Sequence, residues 1–547
     1  MNTKYLFLAA FALTAMPAAA QETYENTKLI ESDLNGTARY VGMGGAMDAL
    51  GADISTINSN PAGIGLFRRS NMSVSFGAVS QEGGKNFANG KIHNASFDQI
   101  GFVWSRPTGD GSYFNLAFNY HKGRNFDYIL DAAGSLRNSS QNGITFLKGI
   151  GGVDKTGTST YNVDRKGSGP WFGTDIWTSQ LDNLYYNNFN LDANGAPAWN
   201  SASGFQMNRA NTGYIGSYDL NLSGNIQDRV YLGLTFGIKD VHYRGVAAYT
   251  ENLVDNDGNG VGSVTVNDDR RITGSGFNVV LGAIYRPIET SPFRIGLSIA
   301  TPTWYDLTTK NFTSFENHTN YESSVPGYTT SEAYDFKAST PWKFGLSLGH
   351  TIGNYLALGA GVDYADYSYL GTRVIENSGY GYDYYYDEYY STESSYVDDN
   401  MNDHTKKTLK GVATFKLGAE IKPVPELSIR AGYNYVSPMF EETGFKDLTI
   451  DSYGTNYASQ SDYTNWKATN RLTLGLGYAF KNFTIDLAYQ FSKTSGDFYP
   501  FESGYGEFKY FNTDNNKLET ENIAISSNPV SVDNKRSQFL MTLGYKF

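Results

Sequence analysis

Apolar and polar residues alternate along most of this chain, in stretches of about ten residues separated by turns or loops. The C-terminus shows the pattern most plainly. Phe539, Met541, Leu543, Tyr545 and Phe547 fall on one face of an extended segment, and Gln538, Leu540, Thr542, Gly544 and Lys546 on the other. Strand side chains alternate between faces, so one set suits lipid and the other a lumen. The same division separates Leu472, Leu474, Leu476, Tyr478 and Phe480 from Arg471, Thr473, Gly475, Gly477 and Ala479. It recurs where Phe483, Ile485, Leu487, Tyr489 and Phe491 oppose Thr484, Asp486, Ala488, Gln490 and Ser492. A soluble sandwich alternates too, but here the lean face is mostly small residues, as a crowded barrel interior requires.

About fourteen such segments are predicted, near 72–79, 97–105, 112–121, 214–223, 229–239, 275–286, 292–300, 341–350, 355–366, 410–422, 426–436, 470–480, 482–492 and 536–547. Short connections (Pro107 to Gly111, Gly224 to Asp228, Pro287 to Ser291, Thr351 to Asn354, Pro423 to Pro425, Lys481) alternate with long ones. The long ones are roughly 80–96, 122–213, 240–274, 301–340, 367–409, 437–469 and 493–535. Membrane barrels have short periplasmic turns and long outer loops, and this parity keeps both chain ends on the periplasmic side. The expected fold is all-β, a transmembrane antiparallel β-barrel over residues 72–547, integral to the cell outer membrane. Trp104, Trp304 and Trp342 lie near predicted strand ends, at headgroup level. The terminal Phe547 resembles the signal read by barrel-assembly machinery.

The first twenty residues stand apart. Lys4 precedes the apolar run Tyr5 to Ala15, and Pro17-Ala18-Ala19-Ala20 forms a small-residue cleavage site before Gln21. That is the layout of a secretory signal peptide. Beyond it no run of about 18 apolar residues occurs, which excludes a helical span. The chain has no Cys, so disulfides, a thiol nucleophile and a lipoprotein anchor are all excluded. A net charge of −12 makes nucleic acid an unsuitable partner. With 42 Tyr and 59 Gly, the composition suits aromatic-edged strands and tight turns.

Residues 21–71 lack strand alternation. They contain Gly36-Thr37-Ala38-Arg39-Tyr40-Val41-Gly42-Met43-Gly44-Gly45-Ala46, then Ala49-Leu50-Gly51-Ala52-Asp53 and Ser55-Thr56-Ile57-Asn58-Ser59-Asn60-Pro61-Ala62-Gly63-Ile64. This region resembles the N-terminal part of the FadL/TodX family, outer-membrane transporters of long-chain fatty acids and aromatic hydrocarbons. Lesser echoes are Thr340-Pro341-Trp342-Lys343-Phe344-Gly345 and Arg430-Ala431-Gly432-Tyr433-Asn434-Tyr435. The resemblance implies a fourteen-stranded barrel plugged by a hatch inside the lumen. It further implies passive uptake of a hydrophobic compound or fatty acid, caught by outer loops and released past the hatch, with a sideways gap in the wall as the exit. Gly42, Gly44, Gly45, Asn60, Pro61 and Gly63 are the expected hatch and gating residues. The expected partners are that ligand, outer-membrane lipid and the assembly machinery, with the chain a monomer.

Other clusters carry less. Gly42-x-Gly44-Gly45 has neither a preceding strand nor the Lys of a phosphate loop, and tight backbone packing is its plainer role. Asp255-Asn256-Asp257-Gly258-Asn259-Gly260 matches the first half of a calcium loop, with Asp255, Asp257 and Asn259 as weak metal candidates, but Val266 stands where the closing Glu belongs. No other cofactor is expected. The Tyr382 to Tyr390 run reads as an outer loop. Lumen-register Arg294 and Arg430 are candidates to grip a ligand carboxylate. With Asp363, Asp486, Lys343 and Lys416 they have a more economical role in pairing with each other or with the hatch, because isolated buried charges are costly. No catalytic set is apparent, and an enzyme is not expected. Two further readings stay open: a barrel that holds secretion cargo on its outer loops, and a haem receptor using His93, His318 and His404.

Overall fold

In a computed structural model every alternating segment finds antiparallel partners on both sides, and the last strand returns to the first. The structure describes residues 21–547 apart from 154–158, 162–178, 190–198, 321–328, 378–379, 384–387, 392–393 and 513–516. The expected signal peptide and part of the Tyr382 to Tyr390 run therefore lie outside the described residues. The barrel strands are β1 (Asn71–Gln81), β2 (His93–Gly109), β3 (Ser112–Asn125, continued by Tyr128–Ser135), β4 (Ser201–Ile226), β5 (Val230–Val254), β6 (Gly260–Tyr285) and β7 (Arg294–Ala300, continued by Trp304–Thr319). They continue with β8 (Thr329–Ser339, then Lys343–Ile352), β9 (Leu356–Asp366, then Gly371–Asn377), β10 (Gly411–Val424), β11 (Leu427–Val436), β12 (Tyr463–Phe480), β13 (Phe483–Tyr499) and β14 (Val530–Lys546). β14 closes on β1 from Asn71 opposite Lys546 to Gln81 opposite Arg536. A closed antiparallel barrel leaves no unpaired strand edge facing lipid, which is what a bilayer demands.

The outward face of the lower barrel is apolar. Leu474 is 61% and Phe539 58% exposed, and Leu232, Leu281, Leu297, Phe415 and Ile485 share that face. The inward face carries Asn119, Asp219, Asn221, Thr235 and Thr473, all buried. Apolar outside and polar inside is the surface of an integral outer-membrane barrel.

Higher up, the two faces exchange character without any change of register. On β5 the outward series runs Leu232, Leu234, Phe236, Ile238 and then Asp240, His242, Arg244. The inward series runs Gly233, Thr235, Gly237, Lys239 and then Val241, Tyr243, Ala247, Tyr249 and Leu253. Above the membrane the strands stand in water, so they cover themselves with charge and enclose an apolar core. Phe205, Tyr249, Val264, Phe315, Phe498 and Phe501 fill it, together with Ile144 of α3 (Gln141–Gly149) and Leu184 and Tyr185 of α4 (Gln180–Asn188).

This inversion corrects the expected loops. Residues 240–274 are two long strands joined by the turn at 255–259, and 301–340 likewise holds the upper parts of β7 and β8. The segment 214–223 grows into Ser201–Ile226. A search for apolar residues on the outer face stops at the membrane surface, where the strands do not.

The turret encloses one carboxyl with a consequence for stability. Glu251 is buried and its Oε1 accepts from the Gln141 N–H and the Tyr249 hydroxyl, both at 2.7 Å. Burial pushes this carboxyl up to about 7, despite the opposing hydrogen bonds. A raised carboxyl favours folding in its protonated form, so its contribution is complete at acid pH and lost as pH rises through about 7. Glu251→Gln is expected to flatten the fall in thermal stability between about pH 5 and 8. An unchanged pH profile would contradict this assignment.

Candidate functional site

Residues 21–70 occupy the lumen as short helical turns, and their shape comes from a few side chains. Thr37 caps α2 (Ala38–Gly42) by accepting from the Tyr40 N–H at 3.1 Å, while its hydroxyl donates to the Asp53 carboxylate at 2.8 Å. Asp53 in turn accepts from the Ser55 N–H and caps the 3-10 turn Ile54–Asn58. The Gly-Thr-Ala-Arg and Ala-Asp parts of the motif are thus two halves of one capping arrangement. Asn60 accepts from the Ala62 N–H at 3.2 Å and starts the turn Pro61–Leu66, where Pro61 occupies the first position and lacks the donor that position leaves idle.

The segment then runs around the inner wall in strand order, and at each step the wall residue is glycine. A Cβ on Gly475 of β12 would lie 3.2 Å from the Gly42 Cα. On Gly432 of β11 it would come 2.2 Å from the Gly44 nitrogen, and on Gly418 of β10 2.2 Å from the Met43 oxygen. On Gly359 of β9 it would meet the Ala46 oxygen at 1.9 Å, and on Gly349 of β8 the Leu50 nitrogen at 2.9 Å. Asn60 and Pro61 press in the same way on Gly296 of β7, Gly282 of β6 and Gly233 of β5. Main chain meets main chain at Gly475, Gly432, Gly418, Gly359, Gly349 and Gly233, while side-chain atoms of Asn60 and Pro61 fill the space at Gly296 and Gly282.

Ion pairs reinforce the contact. Arg39 donates to Glu420 at 3.1 Å, Arg430 donates to the same carboxylate at 2.6 Å, and Arg430 also donates to Asp486 at 2.6 Å. Lys416 bridges Asp48 of the segment and Asp363 of β9 at 2.9 and 2.8 Å, and Lys343 meets Asp363 at 3.0 Å. Arg430 is therefore committed to pairing, away from the cavity described below. Arg294 donates to the Leu50 carbonyl at 3.3 Å, and it also stands outside that cavity.

The wall is divided between β2 and β3. The β2–β3 ladder runs from Gly109 opposite Ser112 up to Gln99 opposite His121, and stops there. Above that pair, among the described residues, the ladder of β2 runs to β1 and that of β3 to β4, and the buried Gln81 side chain of β1 bonds both the N–H and the carbonyl of Ile129 on β3. Glu31–Asn35 of the segment fill the opening. The Asp33 N–H donates to the Gly123 carbonyl at 2.9 Å, and the Asn125 N–H donates to the Asp33 carboxylate at 2.8 Å. The Asn35 amide donates to Asp98 of β2 and to the Lys122 carbonyl of β3, both at 3.0 Å. Arg124 pairs with Glu31 and with Asp33. Burial would raise the Asp33 carboxyl, but Arg124, Arg536 and Arg471 around it hold it below the ordinary carboxylate range. The split begins beside the outward rings of Phe97, Tyr120 and Tyr218, whose centroids are 5.8 and 5.0 Å apart, at the level where apolar outer faces give way to polar ones.

Behind these residues lies a cavity of about 340 Å³. Its upper wall is aromatic. Tyr24 stacks on Phe440 with centroids 5.0 Å apart, Tyr463 lies against Tyr24 at 5.1 Å, and Trp466 meets Tyr128 edge-on at 5.7 Å. Its lower wall is polar, with Asn434, Arg471, Gln490, Arg536 and Gln538. Arg471 lines this cavity, whereas the sequence singles out Arg294 and Arg430, which do not. The signal was present in the register: Arg471 stands opposite Asn434 and Ser492, whereas Arg430 stands opposite Glu420.

The remaining candidates do not converge. Asp255 uses Oδ1 to accept from the Asp257 and Asn259 N–H groups and Oδ2 to accept from the Asn259 amide, so its oxygens serve the turn. Among the described residues no three His, Asp or Glu side chains are grouped to hold a metal. His93 begins β2 and His318 is exposed on β7, whereas His404 is buried in α5 (Asp399–Thr408) with its ring nitrogens on Thr23 and the Phe445 carbonyl.

No family model matches the chain, and no curated protein matches it. Among solved structures it is similar to the Ralstonia pickettii toluene transporter TbuX, at 13% identity over 94% of this chain and 99% of that one, with a TM-score of 0.45. A Pseudomonas aeruginosa FadL homologue aligns at 14% identity over 95% and 99% of the two chains, with a TM-score of 0.45. The Pseudomonas putida toluene transporter TodX aligns at 12% identity over 94% and 99%, with a TM-score of 0.44.

Proposed function

We propose that this protein is a passive outer-membrane channel for a hydrophobic compound such as a fatty acid, held in the lumen cavity and released sideways between β2 and β3 when the N-terminal hatch moves. The observation that carries this reading is Glu31–Asn35, which supply across the split the hydrogen bonds that β2 and β3 do not make to each other. Close contacts with wall glycines seat residues 42–62, so the movable part of the hatch is the stretch Glu31–Asn35, held by polar bonds and by the buried Leu34. A lipophile gains about 0.8 kcal/mol per CH2 group removed from water, which draws it to the aromatic upper wall. Discharge into lipid keeps that gain, and no energy source is needed.

Asn35→Ala tests the reading, because it removes the bonds to Asp98 and Lys122 together. Uptake of a labelled long-chain fatty acid into vesicles carrying the variant is expected to change by up to about thirtyfold, for two hydrogen bonds of about 1 kcal/mol net each. Uptake indistinguishable from the parent would count against a gate at this split.

A further inference from the structure

We propose that the outer face of β5, β6 and β7 above the membrane binds the phosphorylated saccharide of the outer-leaflet glycolipid around the barrel, through Arg244, Arg271, Lys310 and Phe312. The site lies on the outside of the wall and is independent of the channel reading above.

Register sets the three cations side by side. Arg244 stands opposite Arg271, and Arg271 opposite Lys310. All three belong to the outward series: Lys310 is exposed, and the Arg271 and Arg244 side chains are 57% and 38% exposed. Directly opposite positions place Cβ atoms about 5 Å apart, where like charges destabilise a sheet. One acid serves the row. Asp269 accepts from Arg244 at 2.6 and 3.0 Å and meets Arg271 at 3.5 Å. Among the described residues no carboxylate lies within ion-pair distance of Lys310. Next on the outward face of β7 comes Phe312, opposite Asp269, with its ring 51% exposed to water. A phosphorylated sugar answers both features: its phosphates relieve the repulsion along the row, and its C–H face packs on the electron-rich face of the ring.

Height selects the part of the glycolipid. Ile238, Phe277 and Trp304 stand opposite one another at the top of the apolar band. Arg244, Arg271 and Lys310 lie one on each of the same strands, about 20 Å further along. The row directly above the band is acidic instead. Asp240 and Asp306 flank Ser275 there, with Asp240 on His242 at 3.0 Å and Asp306 facing Lys337 at 3.7 Å. Phosphates at the membrane surface meet these acids, whereas phosphates on the saccharide core above the lipid anchor meet the cations. The turret wall therefore favours the core over the anchor, and a glycolipid held there packs the leaflet against the strands.

The test uses the full-length protein in detergent micelles, with glycolipid binding read by native mass spectrometry. The probes are a rough-type lipopolysaccharide with a phosphorylated core, the same glycolipid after dephosphorylation, and phosphorylated lipid A without a core. The first is expected to bind at least about tenfold more tightly than either of the others, as charge-assisted contacts imply. Arg271→Gln with Lys310→Gln should bring it down to the level of the dephosphorylated probe. Arg271→Lys with Lys310→Arg should keep it, which separates loss of charge from loss of fold, and Phe312→Ser should weaken it severalfold. Lys406→Gln with Lys407→Gln removes the same charge from the exposed face of α5 and should change nothing. Binding of the first probe no tighter than that of either other, or an equal loss in the Lys406 and Lys407 variant, would overturn the inference. So would displacement of the glycolipid by polyglutamate at equal charge, because the face would then take any acidic polymer.

Discussion

Valine at Gly359 and Gly418 together is expected to unseat the hatch from a barrel that still closes. The added Cβ atoms would lie 1.9 Å from the Ala46 oxygen and 2.2 Å from the Met43 oxygen, and both obstacles are backbone. No rotamer relieves such a contact, so either the strand or the hatch must move. The strands are paired on both sides, whereas the hatch is held by side-chain bonds and contact, so the hatch yields. Overpacking of this kind costs about 1–3 kcal/mol per site, which shifts the seated-to-unseated ratio by about fivefold to about 150-fold for each valine. The expected phenotype is a heat-modifiable, strand-rich protein whose N-terminal segment is cut by added protease and whose lumen leaks small polar solutes. Gly109→Val is the control, because a Cβ there meets nothing within 4 Å. A double variant as protease-resistant and as tight as the parent would show that the glycine path is not what seats the hatch.

How much of this was legible beforehand follows from what each feature depends on. Strand parity at the C-terminus is a local property, and the faces read from Phe539 to Phe547 and from Leu472 to Phe480 are the faces observed. The salt bridge from Arg430 to Glu420 was also within reach, since the two stand opposite each other once β10 and β11 are in register. Three features were not legible. The turret reverses polarity along strands such as β5, so a membrane pattern ends at about Lys239 although the strand continues to Val254. The split between β2 and β3 depends on where a ladder stops, and nothing in the composition of Phe97 or Tyr120 marks that point. The glycines of the wall were visible as lean lumen residues, but their common purpose appears only when residues 42–65 are laid against them in strand order.

Release between β2 and β3 requires one movement, that of residues 31–35 relative to β3. Ser32 is exposed beside Asp33, and the Asp33 N–H is bonded to Gly123, the neighbour of Lys122. Ser32→Cys with Lys122→Cys in this cysteine-free chain therefore allows the hatch to be tied to the split by a reducible bifunctional maleimide, with Asp33 and Asn35 left intact. Uptake of labelled fatty acid by the tied protein in vesicles is the most direct measurement. Uptake is expected to fall to the level of protein-free vesicles when the linker is in place, and to return to that of the singly labelled controls when it is reduced. Uptake that continues undiminished through the tied protein would contradict release between β2 and β3.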